Sequence, residues 1–146
     1  ALPRGRLKRW FFALDHSAIF LLIAGTYTPF TLGVLRETAG WQLFGVVWTL
    51  AAVGLTLRAT GRGTHPAITT VLYLAMGWVV VVKLDALIAA VPPAGLTWLI
   101  AGGLAYPLGL IFFALDARIR YSHAIWHAFV VGGTACHYFA VLWYAA

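Results

Sequence analysis

Tyr121-Ser122-His123-Ala124-Ile125-Trp126-His127 heads a stretch, residues 128–144, that carries no charge. A stretch of that length crosses the hydrocarbon of a bilayer as a helix. His123 and His127, four residues apart, leave the same face of such a helix one turn apart. That is the spacing at which one helix hands two nitrogens to a metal. Ionisable groups at a membrane boundary are costly and mark functional sites.

The rest of the chain agrees with a membrane setting. It is 62% hydrophobic and 10% charged, with a mean hydropathy of +0.89. Soluble domains average about 25% charged residues, so this chain lacks the side chains to cover a water-facing surface. The apolar stretches predict an all-α polytopic membrane protein, a single transmembrane domain over 1–146. Its five transmembrane helices fall at about 14–35, 41–57, 68–91, 96–115 and 123–144. Lys83 and Asp85 interrupt the third, and Pro92-Pro93 end it. Cys136 lies deep in the fifth, with no second cysteine in the chain to pair with.

The pI near 10.0 points to a membrane surface, not to nucleic acid, because of where the cations lie. Arg4, Arg6, Lys8 and Arg9 precede the first span, Arg58 and Arg62 follow the second, and Arg118 and Arg120 follow the fourth. With five alternating spans these segments share one side and hold eight of the ten Lys and Arg. The positive-inside rule then puts the N-terminus in the cytoplasm and the C-terminus outside. The setting read from this is the cell membrane, crossed several times.

That topology brings Asp15, at the head of the first span, level with His123 and His127. His137 shares their face but lies about 15 Å deeper, and reads as a buried, hydrogen-bonded histidine. The row Ala124, Ala128, Gly132, Cys136 and Ala140 reads as a close-packing seam for another helix. Pro29, within Gly25-Thr26-Tyr27-Thr28-Pro29, should kink its helix, with Thr hydroxyls available to freed carbonyls. Plainer roles exist for each residue. Asp15 suits a helix N-terminus electrostatically. His16 points about 100° from Asp15 and reads as loop or interface. His65, before Pro66, reads as a helix-start residue. Two histidines fall short of the three protein ligands usual for catalytic zinc. Asp15 is either the third ligand or the holder of the water.

Four motifs resemble those of the bacterial hemolysin III family, within the progestin and adiponectin receptor superfamily. They are residues 14–29 from Leu14-Asp15-His16 to Thr28-Pro29, Tyr73-Leu74-Ala75-Met76-Gly77-Trp78, Gly102-Gly103-Leu104-Ala105-Tyr106, and the His123/His127 motif followed by His137. The resemblance covers essentially the whole chain. It implies helices 3–7 of a seven-helix bundle, with the same orientation as the charges give. In the wider superfamily, which includes alkaline ceramidases, three histidines hold zinc beside an Asp and a Ser. By resemblance His123 and His127 are metal ligands and Asp15 is the catalytic carboxylate. The Ser-x-x-x-His of the second helix has no counterpart here, so the third His ligand is expected upstream of residue 1, in one of two further hydrophobic helices.

Three functions fit. The first is a zinc-dependent lipid amide hydrolase, ceramidase-like, acting on an N-acyl lipid in membrane lipid homeostasis. The second is a non-catalytic membrane regulator, receptor or accessory subunit. The third is a pore-forming cytolysin, disfavoured because a pore needs polar residues along several helices. Membrane lipids are the expected partners, with a homo-oligomer or larger membrane complex open.

Overall fold

The computed structural model describes residues 4–62 and 65–145. Residues 1–3 and 146, at the termini whose sides the charges assign, lie outside them. Every regular element among the described residues is helical. The α-helices are α1 Arg4–Leu32, α2 Trp41–Ala59, α3 Pro66–Trp78, α4 Leu84–Ala90, α5 Pro93–Ala114 and α6 Ser122–Tyr144. A π-helical turn, Arg36–Gly40, leads into α2, and a 3-10 segment, Val79–Lys83, joins α3 to α4. Among the described residues five stretches are long and apolar enough to cross a membrane: Gly5–Leu32, Arg36–Ala59, Ala67–Ala90, Pro93–Ala114 and Ser122–Tyr144. Ile100, Val131 and Leu142 are each more than half exposed, an apolar exterior suited to lipid.

The helix ends differ from the spans in instructive ways. The first helix starts at Arg4, not at residue 14, because a helix need not end where the bilayer does. Arg6, Lys8 and Arg9 are good helix formers and carry the helix past the apolar stretch. It ends at Leu32, not at 35, where it meets the far end of α6. A Cβ on Gly33 would collide with the Ala145 carbonyl oxygen, and the Val34 N–H donates to that oxygen at 3.1 Å.

Pro29 does not interrupt α1. The Thr26 and Thr28 hydroxyls donate to the Leu22 and Ala24 carbonyls at 2.8 and 2.9 Å. They thus bond to the preceding turn, not to the Gly25 carbonyl that a proline has no N–H to reach. In the third span the irregular segment is the valine run Val79–Val82 just before Lys83. Consecutive β-branched side chains crowd the preceding turn of an α-helix. The Tyr27 hydroxyl also donates to the Gly77 carbonyl at 2.8 Å, taking up an acceptor at the point where the helix tightens.

Packing divides along the bundle. Phe20, Ala24, Val47, Ala51, Tyr73 and Met76 join α1, α2 and α3. The tightest contact is between α5 and α6, and it uses a different face from the one expected. Ala124, Ala128 and Gly132 face outward, and a Cβ on Gly132 would touch nothing within 4 Å. The buried residues of α6 are Ser122, Trp126 and Gly133, off that row, and Ala140, its last member. Opposite them run Gly95, Gly102 and Gly109, the buried residues of α5. A Cβ on Gly109 would meet Phe129 and Trp126 at 2.7 and 2.8 Å, and one on Gly102 would collide with the His137 ring. Small residues permit close approach without commanding it. Seating Trp126 and Phe129 over a glycine gives large aromatic side chains dense contacts, which the alanine row does not offer.

This seam predicts opposite outcomes at two glycines of similar sequence setting. Gly102→Ala should destabilise the protein by about 1–3 kcal/mol, because a ring and a backbone must move. Gly132→Ala should be neutral or stabilise by up to about 1 kcal/mol, the helix-propensity gain. Thermal unfolding of both variants in detergent checks this; equal losses would mean the expected alanine row is also packed.

Candidate metal centre

The site begins where α6 begins. Tyr121 adopts left-handed backbone, with φ 64°, uncommon for an aromatic residue. It turns the chain into α6 directly after the basic loop. Ser122, fully buried, donates its hydroxyl to the Phe112 carbonyl near the end of α5. This bond ties the first residue of α6 to its neighbour and fixes where His123 and His127 stand.

The two imidazoles converge as their spacing predicts. Their Nε2 atoms lie 3.0 Å apart, close enough for one to donate to the other, with ring centroids 4.7 Å apart. Asp15 joins them from α1: one ligand atom from each of Asp15, His123 and His127 lies within 4.8 Å of the other two. All three residues are half-buried. Asp15 lies about three turns inside α1, whose first residue is Arg4. A helix N-terminus exerts its field over only the first turn, so that plainer role for Asp15 does not hold.

His16 is neither loop nor interface. Because α1 starts early, His16 lies on the helix and turns inward, 5% exposed. Its Nδ1 lies 3.0 Å from the Phe12 carbonyl oxygen and 3.7 Å from Asp15 Oδ2. The Tyr73 hydroxyl donates to the His16 backbone carbonyl at 2.7 Å, tying α3 to α1 beside Asp15. Its ring faces Phe113 at 6.2 Å, and Phe113 in turn stands 6.4 Å from His123 and 5.5 Å from Trp126. This aromatic row bridges α1, α5 and α6 beneath the three polar groups.

The other histidines stay apart from this group. His65 caps α3, its Nδ1 accepting the Ala67 N–H at 3.2 Å. His137 approaches the Leu99 carbonyl oxygen with Nε2 at 3.3 Å and lies 5.6 Å from the Tyr106 ring. One residue escaped the sequence reading. Asp116 stands with Oδ2 3.6 Å from His123 Nδ1. In sequence it is a loop carboxylate among arginines, with no spacing to mark it. The turn that closes α5, through Arg118 N–H to Leu115 O at 2.8 Å and Ile119 N–H to Leu115 O at 3.0 Å, carries it back to the imidazole.

The donor set fits zinc. Tetrahedral zinc holds nitrogen at about 2.0–2.1 Å, which separates two ligand nitrogens by about 3.3 Å. The observed Nε2 separation of 3.0 Å is near that value. Two imidazole nitrogens are ordinary zinc ligands, and the Asp15 carboxylate, within 4.8 Å of them, stands within reach of a water between them. Nδ1 of His123 lies 3.6 Å from the Asp116 carboxylate, longer than a direct hydrogen bond but on the side from which a carboxylate orients a metal-binding histidine.

Comparisons with known proteins agree with the motifs. The family described as Haemolysin-III related matches residues 2–138. Hemolysin-3 of Bacillus cereus is 42% identical over 139 residues, covering 95% of this chain and 63% of that protein. The Hemolysin-3 homolog of Bacillus subtilis (strain 168) is 44% identical over 131 residues, covering 90% of this chain and 61% of that protein. The Monocyte to macrophage differentiation factor of Homo sapiens is 32% identical over 142 residues, covering 92% of this chain and 56% of that protein. The chain therefore spans about three-fifths of the length of the curated relatives it matches. No solved structure matches it.

Two substitutions should separate the support of this site from the packing below it. Asp116→Ala should weaken zinc binding by about 10–100-fold with little change in unfolding temperature. His137→Ala should cost about 1–3 kcal/mol of stability and leave zinc stoichiometry unchanged. Competition of the full-length protein with a zinc chelator, alongside thermal melts, reads both. Unchanged zinc affinity in Asp116→Ala would remove that carboxylate from the site.

Proposed function

Because the chain belongs to the Haemolysin-III related family of multi-pass membrane proteins, we propose that it carries the zinc site of a lipid amide hydrolase. The observation behind this reading is the convergence of Asp15, His123 and His127, whose ligand atoms lie within 4.8 Å of one another. His123 and His127 would hold zinc through their imidazole nitrogens. Asp15, braced by Tyr73 and His16, supplies the carboxylate. Zinc, when bound, polarises the amide carbonyl and lowers the pKa of water.

The residues then divide the work. As the water oxygen attacks the amide carbonyl carbon, Asp15 accepts the water proton. When the C–N bond breaks, that proton passes to the departing amine, so the products are a fatty acid and an amine. Asp116, 3.6 Å from His123 Nδ1, favours the tautomer that leaves Nε2 free for the metal. The substrate is an N-acyl lipid of the ceramide type that enters laterally from the membrane. The setting is the bacterial inner membrane, with the basic segments in the cytoplasm and the activity serving membrane lipid homeostasis.

A second reading rests on the placement of the same groups. Asp15 comes from α1 and both histidines from α6, so zinc would also clamp two helices without any turnover. That is the behaviour of a regulator, receptor or accessory subunit. Catalysis separates the two readings. His127→Ala should lose zinc and turnover together. Asp15→Asn should retain most of the zinc while turnover falls by about 10²–10⁴-fold, the loss typical of a general base. The assay is full-length protein in liposomes against a panel of N-acyl lipids, with bound zinc measured in parallel. Zinc-loaded wild-type protein that turns over none of them favours the clamp.

Orientation is tested separately. A fusion reporter in the loop at Arg118 should report cytoplasm and one fused after Tyr144 the outside. Neutralising Arg6, Lys8 and Arg9 should weaken that preference. Reversal of both reporters would place the site at the opposite membrane face.

A further inference from the structure

Next to the metal centre, on the same end of the bundle, lies a groove of about 350 Å³ that the reaction does not use. It is lined by Gly5, Lys8, Arg9, Phe12 and Ala13 of α1 and by Arg58 of α2. Its lining combines the apolar Gly5, Phe12 and Ala13 with three cations from two helices. The Arg58 guanidinium lies over the Phe12 ring, 5.1 Å from its centroid. Such stacking holds an arginine in place while leaving its charge intact. The pairing of apolar with cationic lining matches an amphiphile whose headgroup is negative.

The groove is aligned with the site. Gly5, Lys8, Phe12 and Asp15 follow one another at steps of three and four along α1, so they share one helix face. Lys8 and Asp15 are therefore about 10 Å apart along that face. A lipid with its headgroup at Lys8, Arg9 and Arg58 extends its backbone toward Asp15 and its acyl chains deeper along the apolar helices. We propose that this groove is a headgroup subsite that binds the phosphate of an anionic membrane lipid. Its part in substrate selection rests on the hydrolase reading, in which it selects N-acyl lipids bearing a phosphorylated headgroup. Binding itself does not depend on that reading.

The test therefore reads binding without turnover. Full-length protein is equilibrated with mixed phosphatidylglycerol and phosphatidylcholine, and the lipids retained are counted by native mass spectrometry. Wild-type protein should retain phosphatidylglycerol in preference to phosphatidylcholine. Arg58→Gln should lower the preference about fivefold, and Lys8→Gln with Arg9→Gln about 25-fold, at the strength of one surface cation each. Arg118→Gln with Arg120→Gln, at the same end of the bundle but outside the groove, should change it little. Unchanged zinc content and melting temperature in each variant confirm that the fold is intact. Equal loss in the Arg118/Arg120 variant would overturn the proposal in favour of diffuse surface charge. Displacement of the lipid by inorganic phosphate at matched concentration would overturn it in favour of a soluble anion. Absence of hydrolysis by the wild-type protein on every N-acyl lipid, with retention of phosphatidylglycerol intact, would remove the hydrolase reading and leave the subsite standing.

Discussion

A helix inside a membrane cannot gain from hiding apolar surface from water, so close backbone approach and a few directed hydrogen bonds decide how helices meet. In this protein the approach is made by α5 against α6, where Gly109 receives Trp126 and Phe129 and Gly102 receives His137. The Ser122 hydroxyl bond to the Phe112 carbonyl completes it at the end where α6 starts. Rotation of α6 by one residue, about 100°, would carry His123 and His127 away from α1. The imidazole pair therefore inherits its direction from a glycine seam along the length of both helices.

The first helix reaches the same place by other means. The Tyr73 hydroxyl on the His16 carbonyl and the row from His16 through Phe113 to Trp126 hold α1 beside α5 and α6. At the opposite end the Val34 N–H reaches the Ala145 carbonyl. With both ends held, Asp15 is presented to the histidines by a helix that has little freedom to slide. Half-buried polar groups in such a setting interact more strongly than they would in water. The same helix face continues outward to Lys8, which places a cationic groove and the Asp15–histidine cluster on one track along α1.

The histidines show why position within a membrane helix changes the meaning of a residue. His137 lies on the His123/His127 face, yet it meets a carbonyl and a tyrosine ring and packs on Gly102. Deep in the bundle a histidine is accommodated by satisfying its nitrogens within the protein. Near the end of α6 the paired rings meet each other and a carboxylate, an arrangement that has donors to spare for a cation.

Much of this was legible in the residues alone. Uninterrupted apolar stretches, the cation distribution and the four-residue spacing of His123 and His127 depend on local periodicity and composition, and these determined the five helices and the approach of Asp15 to the histidine pair. Other features depend on which surfaces meet, and only the tertiary structure decided them. The seam runs through Trp126 and Gly133, not through the alanine row, because the gain comes from what the partner helix offers. Asp116 reaches His123 because the turn after α5 folds back, a geometry that no spacing encodes. His16 became a buried brace because α1 begins ten residues before the expected span, where arginines and lysine prolong a helix that hydropathy alone would have ended.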